Sequence, residues 1–445
     1  MSAVNSTADK DLVVGLGATG LSIARYLKRS ARNAIFYDSR KEPPGLDALE
    51  EIFPDAELRL GDDKLPKGIS RVIASPGIPD SHSLLKKARK KGVEIVSDIE
   101  LFAREAERPF VAVTGSNGKS TVTTLLYHMC RADGRAVLAG GNLGEPALDL
   151  LDQDAPDIYV LELSSFQLQR TAHLPAKAAL LLNVSPDHLD WHASEAEYRA
   201  AKYRIFDDVD AAVVNRTDEE AAQRAQHCGR VVSFGLDAPA TDQYGIREDN
   251  GEKYLACGEA LLLTVRDLAL YGVHNQLNAL AALAAGQLIG LDMGAMLQVL
   301  VEFRGLSHRM QFVARISAVD YINDSKATNV AAAVASVESV EGMLVLIAGG
   351  DGKGGDFSEL AEAVEGKLRG AVLIGKDAEQ IAHALNTVMP VHFAENMESA
   401  VHMAATCAES DDTVLLAPAC ASLDQYDNYM VRGDAFCEAV EALRR

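Results

Sequence analysis

A lysine followed by two hydroxyl residues, Lys119-Ser120-Thr121, closes a stretch of small residues, Gly115-Ser116-Asn117-Gly118. That combination suits a polyphosphate. Main-chain N–H groups of a glycine loop and of the helical turn after it point at the anion, and the helix dipole adds partial positive charge. Lys119 supplies a full charge for the terminal phosphates, and Ser120 or Thr121 can ligate Mg2+. The usual spacing also has a glycine where this chain has Val113. A glycine turn beside an exposed lysine is the plain alternative; the order of strand, loop, Lys-Ser-Thr and helix argues against it. Glu162 ends the apolar run Ile158-Tyr-Val-Leu. A carboxylate at a strand tip beside a phosphate loop is placed for Mg2+, the alternative being an N-cap or a surface ion pair. Asp187, His188, Asp190 and His192 crowd the segment after Asn183, a donor set that suits a divalent ion or else a solvated polar loop. Lys202 reads, from its neighbours alone, as a surface lysine. A second glycine-lysine stretch, Gly349-Gly-Asp-Gly-Lys353, suggests another anion clamp, with a flexible hairpin as the alternative. Gly15, Gly17 and Gly20, with Asp38 about 20 positions on, match the dinucleotide fingerprint. The match is weak evidence for NAD, because the same turn serves any ligand with phosphates near a helix start.

These residues need strands to present them. Apolar, β-branched runs predict strands at Ala34–Tyr37, Arg71–Ala74 and Val93–Val96, then Phe110–Thr114, Ala136–Leu138, Ile158–Glu162, Ala179–Asn183, Ala211–Asn215 and Val231–Gly235. Further strands are expected at Ala318–Ile322, Met343–Ala348, Ala371–Ile374 and Thr413–Ala417, with helical periodicity between most of them. That alternation means largely parallel sheets covered on both faces. The stretch Leu236 to Leu270 loses the periodicity and suggests a small antiparallel excursion. The expected architecture is α/β in three consecutive domains: Rossmann-like over 1–108, a P-loop ATPase-type parallel sheet over 109–303, and Rossmann-like again over 304–445. At 445 residues the chain exceeds one ordinary core. A hydrophobic fraction of 48% and a charged fraction of 24% are those of a globular protein. The net charge of -21 argues against nucleic acid as a partner. No apolar run reaches the 18 or so residues of a membrane span, so no membrane partner is expected. Six scattered cysteines suit a reduced, cytoplasmic protein.

Taken in order, Thr-Gly-Ser-Asn-Gly-Lys-Ser-Thr, Leu-Glu-Leu-Ser-Ser-Phe-Gln-Leu, Pro-Asp-His-Leu-Asp, Gly-Val-His-Asn, Ser-His-Arg, Asn-Asp-Ser-Lys-Ala-Thr-Asn and Gly-Asp-Gly-Lys resemble the Mur ligase family across nearly the whole chain. Gly-Leu-Gly-Ala-Thr-Gly-Leu-Ser and Pro-Ala-Cys-Ala-Ser-Leu-Asp-Gln-Tyr narrow the resemblance to the members that add D-glutamate to UDP-N-acetylmuramoyl-L-alanine. The resemblance implies ATP and two Mg2+ ions, an acyl-phosphate intermediate, small-molecule partners and a monomeric chain. It implies that Lys119 holds the β- and γ-phosphates within the loop Gly115 to Thr121. Ser120 and Glu162 would hold one Mg2+, and His188 a second together with Lys202, the lysine being carried as a carbamate. ATP would also meet Asn275, Arg309, Asp324 and Lys326. Thr19, Asp38, Arg40, Ser75 and Gly77 would receive the UDP end of the sugar nucleotide, and Asn142 with His188 would lie near its acyl end. Thr328, Lys353, Ser422 and Tyr429 would receive D-glutamate; the family commonly has Phe where Tyr429 stands.

Three other readings compete. An NAD-dependent oxidoreductase leaves the second phosphate site at Lys119 unexplained. A non-enzymatic nucleotide switch needs neither His188 and Lys202 nor the loop at Lys353. A sister ligase adding another amino acid is the nearest rival, made weaker by the lack of an Asp-Asn-Pro-Arg stretch.

Overall fold

The computed structural model describes residues 10–62, 64–185, 191–270, 272–352, 354–385 and 390–444. Two compact units divide it, Met1–Val265 with Leu277–Val299 and Arg266–Gln276 with Leu300–Arg445.

The first unit holds two sheets. One is wholly parallel, built from β1 (Lys10–Val14), β2 (Ala34–Asp38), β3 (Glu57–Leu60), β4 (Ile69–Ala74) and β5 (Glu94–Val96) in the order β3-β2-β1-β4-β5. The order reverses between β1 and β4, which makes their C-terminal ends the crevice where such sheets take ligands. The second sheet comprises β6 (Phe110–Thr114), β7 (Val137–Gly141), β8 (Ile158–Glu162), β9 (Ala178–Leu181), β10 (Ala211–Asn215) and β11 (Arg230–Phe234). It is extended by β12 (Tyr244–Asp249), β13 (Glu252–Cys257) and β14 (Ala260–Thr264), in the order β14-β13-β12-β11-β10-β9-β6-β8-β7. Pairing is parallel from β7 to β12 and antiparallel between β12, β13 and β14, so the excursion expected after Leu236 is a three-stranded antiparallel meander that prolongs the sheet at its edge. Every residue of β6 and β8 is buried, as strands covered on both faces must be.

One apolar cluster serves both sheets of this unit. It runs from Val13, Phe36 and Ile73 through Ile99 and Phe102 to Ala112, Tyr159 and Leu161. The Phe102 ring stands edge-on to Phe110 and to Tyr159, at 5.6 and 5.2 Å between centroids. Phe102 belongs to the helix Asp98–Glu105, whose buried Glu100 is fully engaged: it accepts from Ala172 N at 2.6 Å and His173 N at 3.0 Å, and Arg104 donates to it at 2.8 Å.

The second unit has β15 (Gln311–Ile316), β16 (Val319–Asn323), β17 (Leu344–Gly349), β18 (Leu368–Ile374), β19 (Val391–Phe393) and β20 (Thr413–Leu416), ordered β15-β16-β20-β17-β18-β19. Only the β15–β16 pair is antiparallel among these. Separate apolar clusters cover the sheet's two faces, one around Leu346 and Leu373, the other around Ile347 and Phe436. No helix among the described residues is long and apolar enough to cross a membrane.

Candidate active site

The loop after β6 is shaped for an anion. Gly118 has φ +82°, and a Cβ there would collide with Asn278 Oδ1, so only glycine fits. The helix Lys119–Ala132 begins at the next residue. Lys119 Nζ donates to the carbonyls of Gly115 and Ser116, both at 2.9 Å, so the ammonium is folded into the loop. Ser116 N donates to Asn183 O, and Asn117 N donates to Asn183 Oδ1 at 2.8 Å. The loop is thus laced to the segment after β9. Ser120 is 5% exposed, and Thr121 beside it is half-buried.

Parallel pairing sets Glu162 opposite Val113, beside that loop. Glu162 is 2% exposed; its Oε1 accepts from Asn142 Nδ2 at 2.7 Å, while its Oε2 is buried with no hydrogen-bond partner among the described residues. A buried carboxylate oxygen in that condition is costly unless a cation or donor meets it. Asn142, expected near the substrate's acyl end, is Glu162's immediate partner, and its N–H also donates to Glu162 O at 2.8 Å. Lys202 is buried, not superficial: its Nζ donates to Gly115 O at 2.8 Å and lies 4.9 Å from the centre of the Tyr198 ring. Tyr198 sits one turn earlier on the helix Glu195–Tyr203, and its OH is 2.7 Å from Ser116 Oγ. The sequence reading missed this residue, although the i, i+4 spacing from Lys202 put both on one face. His188 lies outside the described residues.

At the crevice of the first sheet, Asp38 ends β2. Its Oδ2 accepts from Leu16 N at 2.8 Å, and Arg40 reaches both carboxylate oxygens. Burial pushes this carboxyl up, but those bonds outweigh it and hold it at about 2. Ser75 Oγ donates to Gly15 O at 3.0 Å, tying β4 to β1. Asp38 and Ser75 therefore shape the crevice, leaving half-buried Thr19, the exposed Arg40 and Gly77, where an added Cβ meets open space, as its accessible groups.

The remaining predicted residues belong to the second unit. Asn275 is buried in the first turn of the helix Val273–Leu288, and Arg309 is exposed. Asp324 accepts from Ser336 Oγ and Met310 N, and burial pushes its carboxyl up. Lys326 Nζ lies 4.2 Å from the centre of the Tyr429 ring, which brings together two residues predicted for different ligands. Ser325 Oγ donates to Tyr429 O at 2.7 Å. Thr328 is half-buried beyond Lys326, and Ser422 is 4% exposed on the loop after β20. Arg432, also missed, is 1% exposed and joins Ser325 after β16, Gly349 at the end of β17 and Cys420 after β20. Lys353 lies outside the described residues.

Family models match three successive stretches: Mur ligase MurD-like, N-terminal domain over residues 9–97; Mur ligase middle domain over 113–286; and Mur ligase, glutamate ligase domain over 308–420. The UDP-N-acetylmuramoylalanine--D-glutamate ligase of Nitrosococcus oceani is 47% identical over 440 residues, covering 98% of this chain and 97% of that one. This chain belongs to the Mur ligase family. The ligases of the same name from Legionella pneumophila (strain Paris) and Marinobacter nauticus are each 46% identical, over 97% and 98% of this chain and 99% and 98% of theirs. The Mur ligase fold is shared with the Thermotoga maritima MurF ligase in complex with ADP, at TM-score 0.60 and 18% identity over 98% of this chain and 96% of that one. It is shared also with the UDP-N-acetylmuramate-alanine ligase MurC of T. maritima, at TM-score 0.58 and 18% identity over 98% and 99%. Mur ligases use ATP and Mg2+. The residues here fit both, with a glycine-lysine loop for phosphate and, one strand away, the unmet Oε2 of Glu162 for a hard cation.

Proposed function

We propose that this chain is an ATP-dependent amide ligase that joins D-glutamate to UDP-N-acetylmuramoyl-L-alanine in peptidoglycan precursor synthesis. The observation that carries this reading is the Lys119 loop beside the buried Glu162 carboxylate, in a chain 47% identical from end to end to a ligase of that name. A carboxylate is a poor electrophile. Its oxygen attacks the γ-phosphorus of ATP, ADP leaves, and an acyl phosphate forms. The D-glutamate nitrogen then adds to the acyl carbon, and the tetrahedral adduct collapses to the amide with loss of phosphate. Bound Mg2+ supplies charge neutralisation among the phosphate oxygens.

On this reading Lys119 and the N–H groups of Gly115 to Thr121 orient the β- and γ-phosphates. Ser120 and Glu162 hold one Mg2+, while His188 and Lys202 as a carbamate hold a second. Asn275, Arg309, Asp324 and Lys326 serve ATP. Thr19, Asp38, Arg40, Ser75, Gly77 and Asn142 serve the sugar nucleotide, and Thr328, Lys353, Ser422 and Tyr429 serve D-glutamate. We take the chain as three domains, 1–108, 109–303 and 304–445, a reading that the presence of three sheets supports. The enzyme acts on small molecules as a cytoplasmic monomer, which its six free cysteines suit.

A phosphate-release assay with UDP-N-acetylmuramoyl-L-alanine and a panel of amino acids tests the reaction. Release is expected only when ATP, the sugar nucleotide and D-glutamate are all present. Release without an amino acid, or with a diamino acid in place of D-glutamate, would overturn the assignment.

A further inference from the structure

We propose that Arg170 is a positioning residue for the sugar-nucleotide end of the site, acting through the loop that follows β4. Arg170 comes directly after the short helix Ser165–Gln169, which itself follows Glu162. Its side chain is 2% exposed. Nε donates to Asp80 Oδ1 at 2.9 Å, Nη1 to Ser75 O at 3.2 Å, and Nη2 to Ile78 O. The guanidinium carbon lies 5.6 Å from the centre of the Trp191 ring. One planar fork thus meets three acceptors spread along six residues of the loop and fixes the loop's curvature, which a lysine's single nitrogen does not reproduce.

A buried arginine is an expensive filler. Removing a guanidinium from water costs more than apolar packing would, and here burial also holds its pKa below the ordinary value. Asp80, itself a quarter exposed, is its ion-pair partner, and the other two bonds go to carbonyls of the loop. Those carbonyls belong to Ser75 and Ile78, which bracket Gly77, the exposed residue at the crevice. The clamp therefore holds the loop on both sides of Gly77. Gln169 Nε2 reinforces it, lying 3.4 Å from Asp80 Oδ2 and 2.8 Å from Glu197 Oε1. Arg170 touches no part of the phosphate loop through these bonds, so its effect falls on binding of the sugar nucleotide.

The inference rests on the proposed function, in that Ser75 and Gly77 are taken to face that substrate. The experiment compares the wild type with R170M, R170K, D80N and the double variant R170M/D80N. R170M is expected to raise KM for UDP-N-acetylmuramoyl-L-alanine about tenfold, the scale of one charge-assisted hydrogen bond. kcat and the KM values for ATP and D-glutamate should change less than about twofold. R170K should not restore the KM, D80N should raise it by less than R170M, and the double variant should fall short of the sum of the single effects, since the two residues share a bond while Asp80 also pairs with Arg89. Amide exchange over residues 75–80 in the ligand-free protein should be faster in R170M and in D80N. An unchanged sugar-nucleotide KM, or a loss spread evenly over kcat and all three substrates, would overturn the proposal. Should R170M fail to fold, D80N decides by the same two readouts. If the sugar nucleotide leaves exchange over 75–80 unaltered in the wild type, the loop's assignment to that substrate fails, whatever the variants do.

Discussion

Lys202 concentrates the residue-scale question, because a buried ammonium must be stabilised or altered. It donates to Gly115 O at 2.8 Å and rests 4.9 Å from the Tyr198 ring centre. On the proposed reading a carbamate replaces the positive charge with two oxygens for a hard cation. Lys202→Ala is expected to lose nearly all activity, and bicarbonate or a short-chain carboxylic acid to restore part of it by filling the vacated oxygen position. Lys202→Arg keeps the charge and should not be rescued; wild-type turnover in either variant would return Lys202 to a structural role. Asp38 makes a second prediction, in pH. Its carboxyl is held at about 2, against an ordinary 3.8. A depressed folded-state pKa contributes stability that is complete above the unfolded value and fades as pH falls through the folded one. Asp38→Asn should therefore destabilise the protein by about 1–2 kcal/mol near neutrality, with the gap closing between pH 4 and pH 2 in denaturant titrations. A gap that persisted at pH 2 would show that the Arg40 and Leu16 bonds do not depend on the charge.

Loops at strand ends act as elements only when something holds them together. In the second unit Asp377 precedes the helix Ala378–Leu385; its Oδ1 accepts from Gln380 Nε2 at 3.1 Å in that helix, while its Oδ2 accepts from Gly352 N at 2.7 Å. Asp377 N donates to Gly350 O, and Asp351 pairs antiparallel with Ala421. The glycine loop after β17 is thus bound both to this helix and to the loop after β20. Asp377→Ala should raise the KM for D-glutamate about tenfold, with little change for the sugar nucleotide; steady-state kinetics check it, and an equal rise for both substrates would count against the clamp. How far such elements were legible depended on where their signal lies. β6, β8, β17 and β20 were readable because strands buried on both faces appear as continuous apolar runs. β3, Glu-Leu-Arg-Leu, is a sheet-edge strand whose charges interrupt that signal; β15 is a half-buried antiparallel edge, and β19 has three residues. The Lys119 loop was legible because its chemistry is local. Arg170 was not, since its meaning depends on Asp80, 90 residues away, and no spacing rule joins them. Lys202 was misread from its neighbours for a related reason: only the fold buries it.

At the scale of the whole molecule, the two units have cores of their own. In the first, a single apolar cluster spans both sheets, from Val13 and Phe36 to Tyr159 and Leu161. Residues 10–96 should therefore not melt separately from the P-loop sheet, whatever the sequence boundary near Pro109. In the second, separate clusters line the two faces of one sheet. Calorimetry of the full chain is expected to show two unfolding steps, and ligands should move them selectively, because a ligand stabilises only what it binds. The proposed sugar-nucleotide contacts, Thr19, Asp38, Arg40, Ser75, Gly77 and Asn142, all belong to the first unit. Those for D-glutamate, Thr328, Lys353, Ser422 and Tyr429, all belong to the second. At a ligand concentration of about 100 Kd the stabilisation is about 2.7 kcal/mol, which for a unit as long as the first raises Tm by roughly 4–5 °C. UDP-N-acetylmuramoyl-L-alanine alone should shift one step by that amount and leave the other in place, and the step it moves should be the one weakened by R170M. A sugar nucleotide that shifted both steps equally would show either that the units unfold together or that its contacts are not confined to the first.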